Sequence, residues 1–175
     1  WTNAHADIMH PIIHAAKTDG TLWAWGENTQ GALGANLGNQ VHRSSPVQTP
    51  GTQWEGAASS YGTVAAKKTD GTLWMWGRNG ANNLLGINYS TNPRSSPIQL
   101  PGTNWNEIGI GRDEVRVTKT DGTLWVWGEN GYGQLGLNNR TNPQSPTQLP
   151  GTQWKYSVGG YARGMGIKTD GTLWG

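Results

Sequence analysis

Apolar and polar positions alternate in short runs along this chain, and the runs recur at a nearly fixed interval. Val64, Ala66 and Lys68 alternate with Ala65 and Lys67; Thr69-Asp70-Gly71 then reverses the chain into Thr72-Leu73-Trp74-Met75-Trp76. Alternation on both sides of Asp-Gly predicts a β-hairpin, because Gly accepts the positive φ of the turn. Trp74 and Trp76 are two apart and leave the same face of their strand. The segment Lys-Thr-Asp-Gly-Thr-Leu-Trp that forms this hairpin starts at Lys17, Lys68, Lys119 and Lys168, at steps of 51, 51 and 49 residues. Three copies run on through a second Trp into Gly, at Trp25-Gly26, Trp76-Gly77 and Trp127-Gly128. A period near 50 points to a propeller or solenoid.

Residues 54–104 show the rest of one unit. Trp54-Glu55-Gly56-Ala57-Ala58 reads as a short strand whose small residues suit a crowded inner position. A polar loop from Arg78 to Arg94 follows the hairpin, and residues 95–101, Ser-Ser-Pro-Ile-Gln-Leu-Pro, read as an outer strand. Pro97 and Pro101 have no amide to donate, which places them at strand ends or an edge. Four strands per unit, small inside and Pro-bounded outside, describe a propeller blade. Gly, Pro and Asp-Gly punctuation excludes a helical repeat. The expected fold is all-β: a β-propeller of four-stranded antiparallel blades, about three and a half of them present, with blades at 1–53, 54–104 and 105–153 and a truncated blade at 154–175.

Composition changes the picture in two ways. Only 34% of the 175 residues are apolar and Phe and Cys are absent, so the 11 Trp must supply the core. Each buries about 150–250 Å², or roughly 4–6 kcal/mol gross per ring at about 25 cal/mol per Å². The net charge of +2 offers no basic stripe for phosphates, so no nucleic-acid partner is expected. Apolar runs are too short to cross a bilayer, and no membrane insertion is expected. The first residue, Trp1, follows no Met, basic start or apolar signal region, which suggests an internal piece of a longer precursor or a processed chain. Two glycosylation sequons, at Asn88 and Asn139, fall in corresponding loops and are expected to be chance in an Asn-rich repeat.

Trp-Gly-Glu-Asn-Gly-Tyr-Gly-Gln-Leu-Gly (residues 127–136), followed by Ser-Pro-Thr-Gln-Leu (145–149), resembles the regulator of chromosome condensation repeat family, particularly its bacterial and phage-type members. The resemblance covers the whole chain and implies a seven-bladed propeller, which needs about 357 residues at this period. Either the chain is a fragment, its remaining blades supplied by the same precursor, or a second copy completes the ring.

Several candidate sites dissolve on inspection. Asp19, Asp70, Asp121 and Asp170 are a blade apart and cannot converge on one calcium ion. Gly131, Gly133 and Gly136 match a dinucleotide fingerprint as a string, but no helix pattern follows. His5, His10 and His14 cluster in the first unit, with alternation placing His10 and His14 on one strand face if Pro11 permits. No Cys or carboxylate cluster joins them. No nucleophile–base pattern is visible, so no enzyme activity, metal or cofactor is expected. The repeats agree least between inner strand and hairpin, at 7–12, 59–63, 111–114 and 159–163. Variable junctions on a repeated frame suit a binding face, and Tyr61, Arg112, Asp113, Glu114, Tyr161 and Arg163 are its candidate residues.

The family resemblance implies members as different as a nuclear exchange factor for a small GTPase and a plant ultraviolet-B photoreceptor, and fold alone does not choose among them. No basic chromatin-docking tail is present, and the photoreceptor's Trp-bearing junction is replaced here by Tyr61, Arg112 and Tyr161. The expectation is a non-enzymatic binding module for protein or glycan, secreted, on a cell surface or on a virion. The alternative is a guanine-nucleotide exchange regulator of a small GTPase.

Overall fold

The computed structural model describes all residues except Ile8, Asn39, Tyr89, Ser90, Thr91 and Ala162. Two residues of the Asn88 sequon, one of the first junction and one of the fourth thus lie outside the described residues. Four antiparallel sheets follow one another along the chain. The first holds β1 (Asn3–Ala6), β2 (Ile12–Ala16), β3 (Leu22–Gly26) and β4 (Arg43–Thr49). The second holds β5 (Trp54–Ser60), β6 (Thr63–Lys68), β7 (Leu73–Gly77) and β8 (Arg94–Gln99). The third holds β9 (Trp105–Ile110), β10 (Glu114–Lys119), β11 (Leu124–Gly128) and β12 (Thr147–Leu149). The fourth has three strands, β13 (Trp154–Gly159), β14 (Gly164–Lys168) and β15 (Leu173–Trp174). These are propeller blades in an open arc, and β1, β5, β9 and β13 face one another along its inner side.

Small residues on the inner strands answer a geometric demand. A Cβ on Gly56 would lie 2.5 Å from Asn3 Nδ2, and one on Gly109 would lie 2.2 Å from the Ser157 carbonyl oxygen of the next blade. The inner strand of the second blade runs two residues beyond the expected 54–58, because Ser59 and Ser60 keep pairing with Val64 and Thr63. The outer strand ends at Gln99 rather than at Pro101. Pro97 sits within it without penalty, since among the described residues no strand lies beyond β8 to need its amide.

The core lies between blades. Ile12, Leu22 and Leu33 of the first pack with Trp54, Val64 and Trp76 of the second. Leu73, Met75 and Leu85 of the second pack with Trp105, Val115 and Trp127 of the third. Trp76 Nε1 donates to the Ala32 carbonyl at 2.9 Å, and Trp127 Nε1 to the Leu84 carbonyl at 2.7 Å, so the second Trp of the second and of the third blade is pinned to a loop of the preceding blade. A buried indole keeps its donor satisfied this way.

The repeated heptapeptide is structural throughout. Asp70 Oδ1 accepts from the Thr72 amide at 3.0 Å and hydroxyl at 2.7 Å, and that hydroxyl accepts from Trp74 Nε1 at 2.9 Å. The same bonds recur at Asp19, Asp121 and Asp170. Lys68 Nζ lies 4.6 Å from the Trp54 ring and 4.7 Å from the Trp74 ring, a cation held between two indoles of its own blade. Lys17, Lys119 and Lys168 do the same.

His5, His10 and His14, three of the four histidines of the first blade, go separate ways. His5 Nε2 meets the Ser59 carbonyl at 2.9 Å, His10 Nδ1 meets Glu27 Oε2 at 2.9 Å, and His14 is buried with Nε2 on the Ala32 carbonyl at 3.1 Å. The expected shared face fails because β2 begins at Ile12, after Pro11, and leaves His10 in the junction. Among the described residues, no three His, Asp or Glu side chains are grouped to hold a metal, and no helix is long and apolar enough to cross a membrane.

Candidate functional site

Antiparallel order puts the connections after the first and third strands of each blade at one end, and the Asp-Gly turn at the other. The first-to-second-strand junctions span 7–11, 61–62, 111–113 and 160–163. The second is the tightest. Ser60 pairs with Thr63, leaving Tyr61-Gly62 as a two-residue turn with φ of 51° and 79°. Positive φ at both positions is the type I′ geometry that favours Asn-Gly. A bulky residue in the left-handed region costs about 1–2 kcal/mol, so Tyr61 is placed against local preference.

The first blade anchors that turn. Asp7, 7% exposed, accepts from the amides of Tyr61 (3.2 Å) and Gly62 (3.1 Å) across the interface, and from Met9 (2.9 Å) and His10 (3.2 Å) in its own junction. Four donors on one carboxylate fix two neighbouring junctions to each other.

Thus held, the Tyr61 ring meets guanidinium groups from two blades: Arg78 at 4.7 Å and Arg112 at 4.8 Å. His10 meets it edge-on at 4.9 Å. Arg112 also lies 4.8 Å from the Tyr161 ring of the fourth blade. Arg78 Nη2 donates to Asp113 Oδ1 at 2.7 Å and to the Arg112 carbonyl, while Arg112 Nε lies 3.5 Å from Asp113 Oδ2. The result is a stack of alternating aromatic and cationic side chains drawn from all four blades. Beside it is a recess of about 140 Å³ lined by His10, Thr29, Gln30, Tyr61, Gly62 and Arg78.

Of the six candidate residues, the structure brings Tyr61, Arg112, Asp113 and Tyr161 together. Glu114 is buried at the interface of the third and fourth blades, where Oε1 accepts from the Gly160 amide at 3.2 Å and Oε2 has no partner. Burial pushes its carboxyl up to about 7, against the pull of the Arg116 cation. Arg163 is exposed and borders a different cleft, of about 690 Å³, with Arg116, Trp154 and Trp174.

Arg78 and Asp7 were not among the candidates. Arg78 had a readable signal: it stands ten residues after the repeat lysine, where two other copies carry Glu27 and Glu129. Charge reversal in an otherwise repeated frame marks a residue with a different task. Asp7 had none, since its four donors are backbone amides that no side-chain pattern reveals.

Comparisons with known proteins agree with this architecture. The regulator of chromosome condensation (RCC1) repeat matches at residues 19–65 and 121–160. The Protein RCC2 homolog of Danio rerio is 31% identical over 135 residues, covering 74% of this chain and 26% of the fish protein. The X-linked retinitis pigmentosa GTPase regulator homolog of Caenorhabditis elegans is 31% identical over 80 residues, 44% of this chain and 6% of that protein. Among solved structures, human WBSCR16 superposes with a TM-score of 0.78 at 22% identity, over 93% of this chain and 44% of its own. Yeast RCC1 (Prp20), solved bound to Kap60, gives 0.74 at 20% identity, over 93% and 40%. The chain therefore spans less than half the length of these relatives. Family match, repeat period and blade topology together make it a run of regulator of chromosome condensation (RCC1) repeats folded as part of a β-propeller.

Proposed function

We propose that this chain is a non-enzymatic protein-docking module whose contact face is the junction end, centred on Tyr61, Arg78, Arg112 and Tyr161. The observation that carries the reading is Tyr61 at φ 51° with Arg78, Arg112 and His10 around its ring. Backbone strain persists where surroundings over-determine it, typically at functional sites. Tyr and Arg are also the side chains that dominate protein interfaces. A protein partner suits this face better than a glycan, because guanidinium groups already lie over the tyrosine rings on which a sugar would stack.

A small GTPase is the partner that the relatives favour. One relative is named as a GTPase regulator homolog, and a structural study of yeast Prp20p concerned its binding to Gsp1p and histones. The test is binding of a panel of purified small GTPases to immobilised chain, with release of a fluorescent GDP analogue followed in parallel. Saturable binding that Tyr61→Ala and Tyr161→Ala abolish supports the docking face; accelerated release adds exchange activity. Binding untouched by both substitutions removes the face from the function.

A further inference from the structure

The interfaces between the first three blades are each closed by an indole. Trp76 and Trp127 donate Nε1 to the Ala32 and Leu84 carbonyls. Each ring also covers a glycine: a Cβ on Gly34 would lie 2.5 Å from Trp76 Nε1, and one on Gly86 would lie 3.2 Å from Trp127 Nε1. The third blade builds the same cradle. The Leu135 amide donates to Asn130 Oδ1 at 2.9 Å, as Leu33 does to Asn28 and Leu85 to Asn79. Gln134 and Gly136 therefore stand where Ala32 and Gly34, or Leu84 and Gly86, stand. Both line the cleft of about 690 Å³ between the third and fourth blades.

Substitutions within the repeat shape this cleft. Val64 and Val115, which share a core with Trp76 and Trp127, are replaced by Gly164; Ala66 and Val117 are replaced by Gly166. Both glycines line the cleft and set its wall back. At the place of His14 and Ala65 stands Arg116, a 4% exposed cation whose guanidinium uses the space above Gly164, where a Cβ would lie 1.8 Å from Nη2. Arg116 Nη2 donates to the Gln134 carbonyl. His14 shows what a residue in that place does beside an indole. Its Nε2 shares the Ala32 carbonyl with Trp76 at 3.1 Å, and its ring meets the indole edge-on at 6.0 Å. A carbonyl oxygen has two lone pairs, so Gln134 can serve Arg116 and an indole in the same way.

We infer that the cleft between the third and fourth blades is a seat for a tryptophan side chain brought by a polypeptide segment, its indole N–H donated to the Gln134 carbonyl and its ring packed against Arg116. The two seats already filled set both the ring and its carrier. Arg116 adds a cation beside the ring, an attraction that Ala65 does not supply. The site is separate from the tyrosine–arginine stack and does not depend on it.

The test is isothermal titration of the whole chain with the tripeptide acetyl-Val-Trp-Gly-amide, the sequence at residues 126–128 that fills the second seat. Saturable binding is expected. The same peptide with its indole nitrogen methylated keeps the ring and loses the donor, and should bind about fivefold more weakly, the share of one neutral hydrogen bond. Free indole, without a backbone, should bind more weakly than the tripeptide. Arg116→Ala should weaken tripeptide binding about threefold through loss of the cation, and Arg116→His, which carries the first interface's chemistry into the third, should recover most of it. Circular dichroism shows that both variants fold. Absence of saturable binding, undiminished binding of the methylated peptide, or undiminished binding by Arg116→Ala overturns the inference. Free indole that binds as tightly as the tripeptide also overturns it, by making the cleft a site for small molecules.

Discussion

The two ends of each blade use the same chemistry to opposite purposes. At the hairpin end, a lysine lies between two tryptophans of its own blade, and the arrangement is repeated four times with little change. At the junction end, the cations and aromatics are gathered from three blades, and among the described residues the arrangement occurs once: Arg78 and Tyr61 from the second, Arg112 from the third, Tyr161 from the fourth. Repetition within a blade builds a unit. A single stack across blades fixes the units relative to one another and leaves a surface that no other part of the chain duplicates.

If the rings packed between blades supply the frame, the deepest of them should carry the largest penalty. Trp127 is fully buried between the second and third blades. Trp127→Ala should destabilise the chain by about 3–5 kcal/mol, seen as a lower denaturant midpoint, whereas Tyr161→Ala, at a ring 70% exposed, should shift it by about 1 kcal/mol or less. Similar shifts for both would erase the distinction between frame and face.

Titration separates the ends as well. The four hairpin aspartates are held below their usual range, first by the threonine hydroxyl and then by the threonine amide. Glu114 at the junction end moves the other way, to about 7 through burial. Its contribution to stability is full below about pH 4.5 and is lost as pH rises through 7, about 2 kcal/mol after allowance for solvent screening. Glu114→Gln should remove that alkaline loss. Buried His14, lowered to about 4 by burial, acts with opposite sign. Its contribution is full above about pH 6.5 and is lost as pH falls toward 4, about 3 kcal/mol, and His14→Gln should remove the acid arm. Denaturant midpoints between pH 4 and 9 check both.

How far the sequence revealed each end follows from the same contrast. The hairpin was legible because every partner of the repeated heptapeptide is local or recurs at the same offset: Asp70 with Thr72, Thr72 with Trp74, Lys68 with Trp54 and Trp74. At the junctions, variation singled out Tyr61, Arg112, Asp113 and Tyr161 without showing that they touch. Their partners lie a blade or more away, so contact depends on how blades rotate about the axis. Glu114 reads from sequence like its neighbour Asp113, yet β10 begins there and turns its side chain inward. Asp7 shows the limit most plainly, because backbone amides look alike in every sequence.

A lysine between indoles should matter modestly. Cation–π contacts at partly exposed sites contribute about 0.5–1 kcal/mol each, so Lys68→Met, which preserves most of the stem, should cost about 1 kcal/mol. Lys119→Met should match it, given Nζ-to-ring distances of 4.4 and 4.7 Å. Unequal losses in urea unfolding would show that the repeats are not energetically equivalent.

Tyr61→Asn sharpens the comparison most, because it should leave stability almost unchanged while weakening binding. Asn tolerates the left-handed conformation that Tyr61 adopts at φ 51°, so the turn regains about 1 kcal/mol. The loss of ring contacts with Arg78 and Arg112 costs about 0.5–1 kcal/mol each, and the net change should fall within about 1 kcal/mol of zero. Without the ring, Arg78 and Arg112 lose the surface they pack on, and binding of a small GTPase that the wild-type chain captures should weaken about tenfold. A Tyr61→Asn chain that is as stable as wild type yet binds about tenfold more weakly would place this tyrosine on the functional side of the molecule. One that unfolds early would return it to the frame.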